Sequence, residues 1–114
     1  MQTGELAKLL DMELLQPDMA GRETTITGCY IGDLLSNVMG NAMTGQLWFT
    51  VMTNINIIAV AHLLELPGIV LLEGNQPAEG VLERANLEEI PIFITKDPAY
   101  AAAIRFYESG LAEQ

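Results

Sequence analysis

The chain has little positive charge, one thiol, one imidazole and, across its centre, no formal charge at all. Lys and Arg number 5 among 114 residues, against 15 Asp and Glu, for a formal net charge of −10. That balance provides no general electrostatic grip on phosphate backbones, so nucleic acid is not an expected partner. It offers nothing to an anionic membrane surface either. The single cysteine, Cys29, cannot close an internal disulfide. With His62 as the one histidine, no zinc donor set is at hand. No metal and no cofactor are expected.

The segment 34–64 contains no Asp, Glu, Lys or Arg. A spanning helix needs roughly 20 predominantly apolar residues. In this segment the longest apolar run, Ile57 to Ala61, ends at His62. The segment therefore reads as buried core rather than membrane span. The start, Met1-Gln2-Thr3-Gly4-Glu5, lacks the basic residues and long apolar block of a signal peptide. A cytoplasmic location is expected. With 50% apolar and 18% charged residues, the chain has enough apolar side chain for a single folded domain over 1–114.

Residues 5–15 read as an amphipathic helix, with Leu6, Leu9, Leu10 and Leu14 on one face and Pro17 after it. Thr24 to Ile31 reads as a first strand. Asp33 is the expected N-cap of a helix through Met43. Leu47 to Met52 follows as an apolar strand, then a helix from Thr53 or Asn54 to Leu64. Pro67-Gly68 breaks the chain ahead of a strand at Ile69 to Leu72. Pro77 suits the first position of the next helix. Ile90 to Ile94 reads as the last strand, and Asp97-Pro98 opens a helix that Gly110 ends. Short apolar strands alternating with helices indicate a three-layer α/β/α sandwich on a small, mostly parallel sheet of about four strands.

In open α/β sheets, ligands bind outside the carboxyl ends of the strands. The residues expected there include Gly32, Asp33, Thr53, Asn54, Gly74, Asn75 and Lys96. The set holds amides, a hydroxyl and glycines, with Lys96 as its one cation. Singly, such residues are ordinary caps and turns. Converging on one edge, they suggest a site for a small anionic metabolite or nucleotide. Catalytic templates are missing. Neither Lys8 nor Lys96 follows a glycine, so there is no P-loop. Gly28 and Gly32 have G-x-x-x-G spacing, not the dinucleotide-binding fingerprint. A Cys29–His62 pair is chemically conceivable, but both lie in apolar runs that read as core. An enzyme is the competing reading, with Cys29, Asp33 or Glu73 as its reactive groups. Glu88 and Glu89 read as solvated surface, because neighbours on a helix do not share a face.

The helix over Asn54 to Leu64 is apolar nearly all round, and its predecessor carries only uncharged polar residues. An outer-layer helix of that kind needs a cover. The expected cover is a second copy, giving a homodimer through residues 34–64, the alternative being burial under the N-terminal helix of the same chain. A domain that only dimerises or docks a partner, with no ligand, is a further reading.

The runs Gly32-Asp33-Leu34-Leu35-Ser36-Asn37-Val38-Met39, Leu47-Trp48-Phe49-Thr50-Val51 and Asn56-Ile57-Ile58-Ala59-Val60-Ala61 resemble the DRTGG domain family. The resemblance continues through Gly68-Ile69-Val70 and Ile90-Pro91-Ile92-Phe93-Ile94-Thr95, and so covers about residues 5–110. Such domains are similar to the N-terminal domain of HPr kinase/phosphorylase. They also occur in some phosphotransacetylases, and between nucleotide-sensing CBS domains in some family II pyrophosphatases. The resemblance implies a small α/β/α domain, an accessory or oligomerising module. It supplies no catalytic residues, and the literal Asp-Arg-Thr-Gly-Gly is absent here. Kinase activity belongs to a separate P-loop domain and is not expected of this chain. The expected function is thus a non-enzymatic regulatory or interaction module.

Overall fold

The structure is a computed structural model and describes residues 1–111. Its centre is a five-stranded sheet in the order β1-β5-β4-β3-β2. The strands are β1 (Glu13–Leu14), β2 (Gly28–Ile31), β3 (Gln46–Thr50), β4 (Ile69–Leu71) and β5 (Ile92–Ile94). β2 to β5 are parallel and lie in sequence order, with Cys29 opposite Leu47, Phe49 opposite Val70, and Val70 opposite Phe93. β1 runs antiparallel on the free edge of β5.

The helices are α1 (Thr3–Leu9), α2 (Leu35–Asn41), α3 (Asn56–Leu63), α4 (Val81–Glu88) and α5 (Ala99–Glu108). Because β2 to β5 advance in one direction and such crossovers are right-handed, α2, α3 and α4 all fall on one face. There Val38, Ile57, Ile58, Ala61, Val81 and Ala85 pack on Trp48, Ile69, Leu71 and Ile92. On the other face α1 and α5 bring Leu6, Leu10, Ala102 and Phe106 onto Leu47, Phe49, Val70 and Phe93. Phe49 and Phe106 meet edge to face at 6.1 Å. The central strands are buried on both sides, which is why their sequences are continuously apolar. The expected three-layer sandwich and mostly parallel sheet are present.

Several expectations need correction. The helix expected over 5–15 ends at Leu9, and the sheet has five strands, because the chain turns back and forms β1. The turn is a Schellman motif: the Met12 N–H donates to Ala7 O, the Asp11 N–H donates to Lys8 O, and Asp11 takes the left-handed φ of 53°. Glu65 (φ 56°) and Glu89 (φ 60°) end α3 and α4 in the same way, so three helices stop without glycine. β1 itself has only two residues, but the Gln16 side chain prolongs its ladder. Its Nε2 donates to Ile90 O and its Oε1 accepts from the Ile92 N–H, each at 2.8 Å, and the residue is buried. β2 is shorter than expected and starts at Gly28. Pro77 does not open α4, which begins at Val81 after Gly80 at φ 84°. Neither Asp33 nor Asp97 caps its helix: Leu34 and Pro98 hold those positions.

Among the described residues no helix is long and apolar enough to cross a membrane.

Candidate functional site

The carboxyl ends of β2 to β5 lie along one edge of the sheet, and the loops that leave them are tied to one another. Asp33, after β2, uses Oδ1 to accept from the Thr50 hydroxyl at 2.7 Å and from the Val51 N–H at 2.9 Å, both after or at the end of β3. Thr50 is fully buried, and its Oγ1 accepts in turn from the Met52 N–H. Thr53 O, after β3, accepts from the Ala78 N–H in the loop after β4. The Glu73 N–H donates to Asp97 O, and the Gly74 N–H to Thr95 O, which joins the loops after β4 and β5. Four loops thus form one hydrogen-bonded belt. Glu73 and Gly74 take positive φ of 61° and 74° to present both N–H groups to the same neighbour. Glycine meets that demand without strain at position 74, whereas position 73 bears a glutamate.

Most of the residues expected at a ligand edge serve this belt. Gly32 donates its N–H to Phe49 O, and its O accepts from Trp48 Nε1 at 3.0 Å. A Cβ at Gly32 would come within 2.9 Å of the Tyr30 ring, which would have to shift to admit it. Asn54 accepts the Asn56 N–H on Oδ1 and so pairs the first N–H of α3. Asn75 turns its Nδ2 back to Leu72 O at 2.7 Å.

The edge opens into a cleft of about 690 Å³ at the β5 end. Gly74 and Lys96 line it; Gly32, Asp33, Thr53, Asn54 and Asn75 lie on the edge outside its lining. Its other wall comes from the turn into β1, through Asp11 and Glu13, with Gln76, Thr95 and Asp97 between. Antiparallel β1 puts its first residue beside the carboxyl end of β5, and so the short strand builds the cleft. Arg105 of α5 sits at the border. Its Nε is 3.2 Å from Asp97 Oδ2, and its guanidinium is 4.0 Å from the Asp11 carboxylate. Lys96 is exposed and forms no ion pair among the described residues. The cleft therefore combines one unengaged ammonium with carboxylates, of which Asp11 and Asp97 are partly neutralised by Arg105. Sequence reading missed Asp11, Glu13 and Arg105, since nothing local marks β1 as a strand. No group of three or more His, Cys, Asp or Glu is placed to hold a metal among the described residues.

The groups named for a catalytic alternative are not brought together. Cys29 packs against the α1/α5 face, and burial raises its thiol pKa above the ordinary value. His62 lies on α3 in the opposite layer, 3.4 Å from Glu88. Asp33 and Glu73 leave β2 and β4, with β3 between them. Glu88 lies 3.4 Å from His62 Nδ1 and pairs with Arg84 at 3.6 Å, and exposed Glu89 meets Arg22 at 2.7 Å.

A small α/β/α domain with a mostly parallel sheet and a polar carboxyl edge is the class that fold and edge define. No family model and no curated protein sequence matches the chain. Among solved structures, it is similar to the crystal structure of the CBS and DRTGG domains of the regulatory region of Clostridium perfringens pyrophosphatase, complexed with the activator diadenosine tetraphosphate. The TM-score is 0.68 at 12% identity, over 95% of this chain. The chain spans 46% of that structure's length. At this identity the likeness is one of fold.

Proposed function

We propose that this chain is a non-enzymatic regulatory module that senses a small anionic metabolite, of nucleotide type, at the carboxyl edge of its sheet. The observation that carries the reading is the belt of four cross-bonded loops bordering an open cleft in which Lys96 is unengaged. A preorganised edge loses little conformational entropy when it binds a ligand. Lys96 supplies a point charge for a phosphate. Glu13 and Asp11 supply acceptors for ribose hydroxyls or an exocyclic amine. Similarity in fold to a regulatory region crystallised with diadenosine tetraphosphate supports the same class of ligand. The half-buried lone thiol fits a cytoplasmic setting.

Calorimetry and thermal-shift measurements with mono-, di- and dinucleoside polyphosphates test this. Saturable stabilisation that Lys96→Ala abolishes supports the reading. No stabilisation by any of them rejects it.

A second property belongs to the reading: association of two copies through 34–64. Leu34, Met39, Met43, Ile55 and Leu63 of this uncharged segment are exposed. Scattered single apolar residues are ordinary, but a set gathered on one layer marks an interface. Light scattering of the chain at about 10 μM, where an interface of standard size holds, is expected to give the mass of a dimer. A monomer rejects it.

A further inference from the structure

Arg105 touches both walls of the cleft, and it touches them unequally. Its side chain leaves α5 and reaches back toward the start of that helix, the direction in which helical side chains lean. Nε donates to Asp97 Oδ2 at 3.2 Å, on the wall formed by the loop after β5. Nη2 stands 4.0 Å from Asp11 Oδ2, on the wall formed by the turn into β1. The first contact is a hydrogen bond; the second lies beyond hydrogen-bond reach.

Asp97 is a fixed partner. Its side chain is only 26% exposed, its N–H donates to Thr95 Oγ1, and its O accepts from the Glu73 N–H. Asp11 is a loose one. Its side chain is 82% exposed, and Arg105 is its one ion-pair partner among the described residues. The backbone sets its place, because Asp11 ends α1 at φ 53° with its N–H on Lys8 O. An exposed pair of this kind shifts an equilibrium by about fivefold or less. The Nη groups of Arg105 make no hydrogen bond among the described residues. Asp97 thus holds the guanidinium at the border of the cleft with most of its donors unused.

The charges of the free cleft do not favour an anion. Asp11, Glu13 and Asp97 line it, against Lys96 in its lining and Arg105 at its border. A phosphate paired with Lys96 alone would face all three carboxylates. Given the cleft as a ligand site, the reading proposed above, we infer that Asp11 is a resident anion which a ligand phosphate displaces from Arg105. Arg105 then joins Lys96 as a second phosphate-binding residue. Asp97 keeps Nε, and the planar guanidinium presents its Nη donors in the fork that suits phosphate. The exchange gives up a weak ion pair for charge-assisted hydrogen bonds, which are among the strong ones. Asp11 therefore sets a threshold. A ligand without an anionic group cannot make the exchange, so a bare nucleoside gains nothing from Arg105.

Calorimetry of the whole chain with diadenosine tetraphosphate tests this through Asp11→Asn. Asparagine keeps the size and a carbonyl acceptor, tolerates a left-handed φ, and removes only the charge. Asp11→Asn is expected to bind about two- to fivefold more tightly than the wild type. Arg105→Gln is expected to bind more weakly, and in that background Asp11→Asn should lose most of its gain. Both side chains are substantially exposed, and thermal unfolding checks that each variant is folded. No binding by the wild type rejects the ligand site, and the exchange with it. Binding that Lys96→Ala abolishes but Asp11→Asn leaves unchanged or weakens keeps the site and overturns the exchange. An equal gain from Asp11→Asn with and without Arg105 also overturns it, since charge repulsion alone then accounts for the gain.

Discussion

The Asp33 carboxylate accepts the Thr50 hydroxyl at 2.7 Å and so closes the carboxyl end of β2 onto β3. Thr50 is fully buried, and its hydroxyl donates to a side chain whose place in the sequence suits a helix cap. Removing the acceptor strands a buried donor. Asp33→Ala is therefore expected to lower stability by about 1–3 kcal/mol. Asp33→Asn, which keeps a carbonyl acceptor, should cost less. Chemical denaturation checks this, and an unchanged midpoint for Asp33→Ala would contradict it.

Gln16 makes two hydrogen bonds at 2.8 Å to the backbone around Pro91 and stands in for the residue that β1 is too short to supply. Gln16→Leu keeps the volume but leaves Ile90 O and the Ile92 N–H unpaired in a buried setting. A loss of about 2–4 kcal/mol is expected, since each orphaned buried group costs about 1–3. Hydrogen exchange should locate the loss: the amides of 13–15 and 92 should exchange faster than those of β3.

Glu65 ends α3 at φ 56°, in the left-handed region that favours glycine. Its exposed side chain forms no ion pair among the described residues. Glu65→Gly is expected to be neutral or stabilising, by up to about 1 kcal/mol, where an ordinary helix-to-glycine change destabilises. A lower melting temperature would contradict the strain assigned to this position.

These positions also show what could be read from residue order. The buried strands at Leu47–Phe49, Ile69–Leu71 and Ile92–Ile94 were legible because burial on both faces demands unbroken apolar runs. The alternation of strands and helices then implied a parallel sheet. β1 was not legible. Leu6, Leu10 and Leu14 keep helical spacing through the turn, and Asp11 is a weaker stop signal than glycine. With β1 hidden, the cleft wall at Asp11 and Glu13 was hidden too. The edge residues were found by the general rule for strand ends, but their roles differ from residue to residue. Asp33 and Asn75 are spent on internal hydrogen bonds, whereas Lys96 remains unengaged. Such roles depend on which loop lies beside which, and residue order alone does not state that.

Burial raises the Cys29 thiol pKa above its ordinary value, so the thiolate is scarcer at neutral pH than in an open cysteine. Alkylation of the native chain should be slower than that of the denatured chain and should rise as pH climbs into the alkaline range. Rapid, stoichiometric modification at pH 7 would restore Cys29 as a candidate nucleophile.

The proposed ligand sensing centres on Lys96 and the cleft at the end of β5. The most direct measurement is isothermal calorimetry of the wild type and of Lys96→Ala with a dinucleoside polyphosphate such as diadenosine tetraphosphate. The wild type is expected to bind saturably, and the variant, equally folded because Lys96 is exposed, to bind at least about tenfold more weakly. Equal binding by both proteins, or none by the wild type, would contradict it.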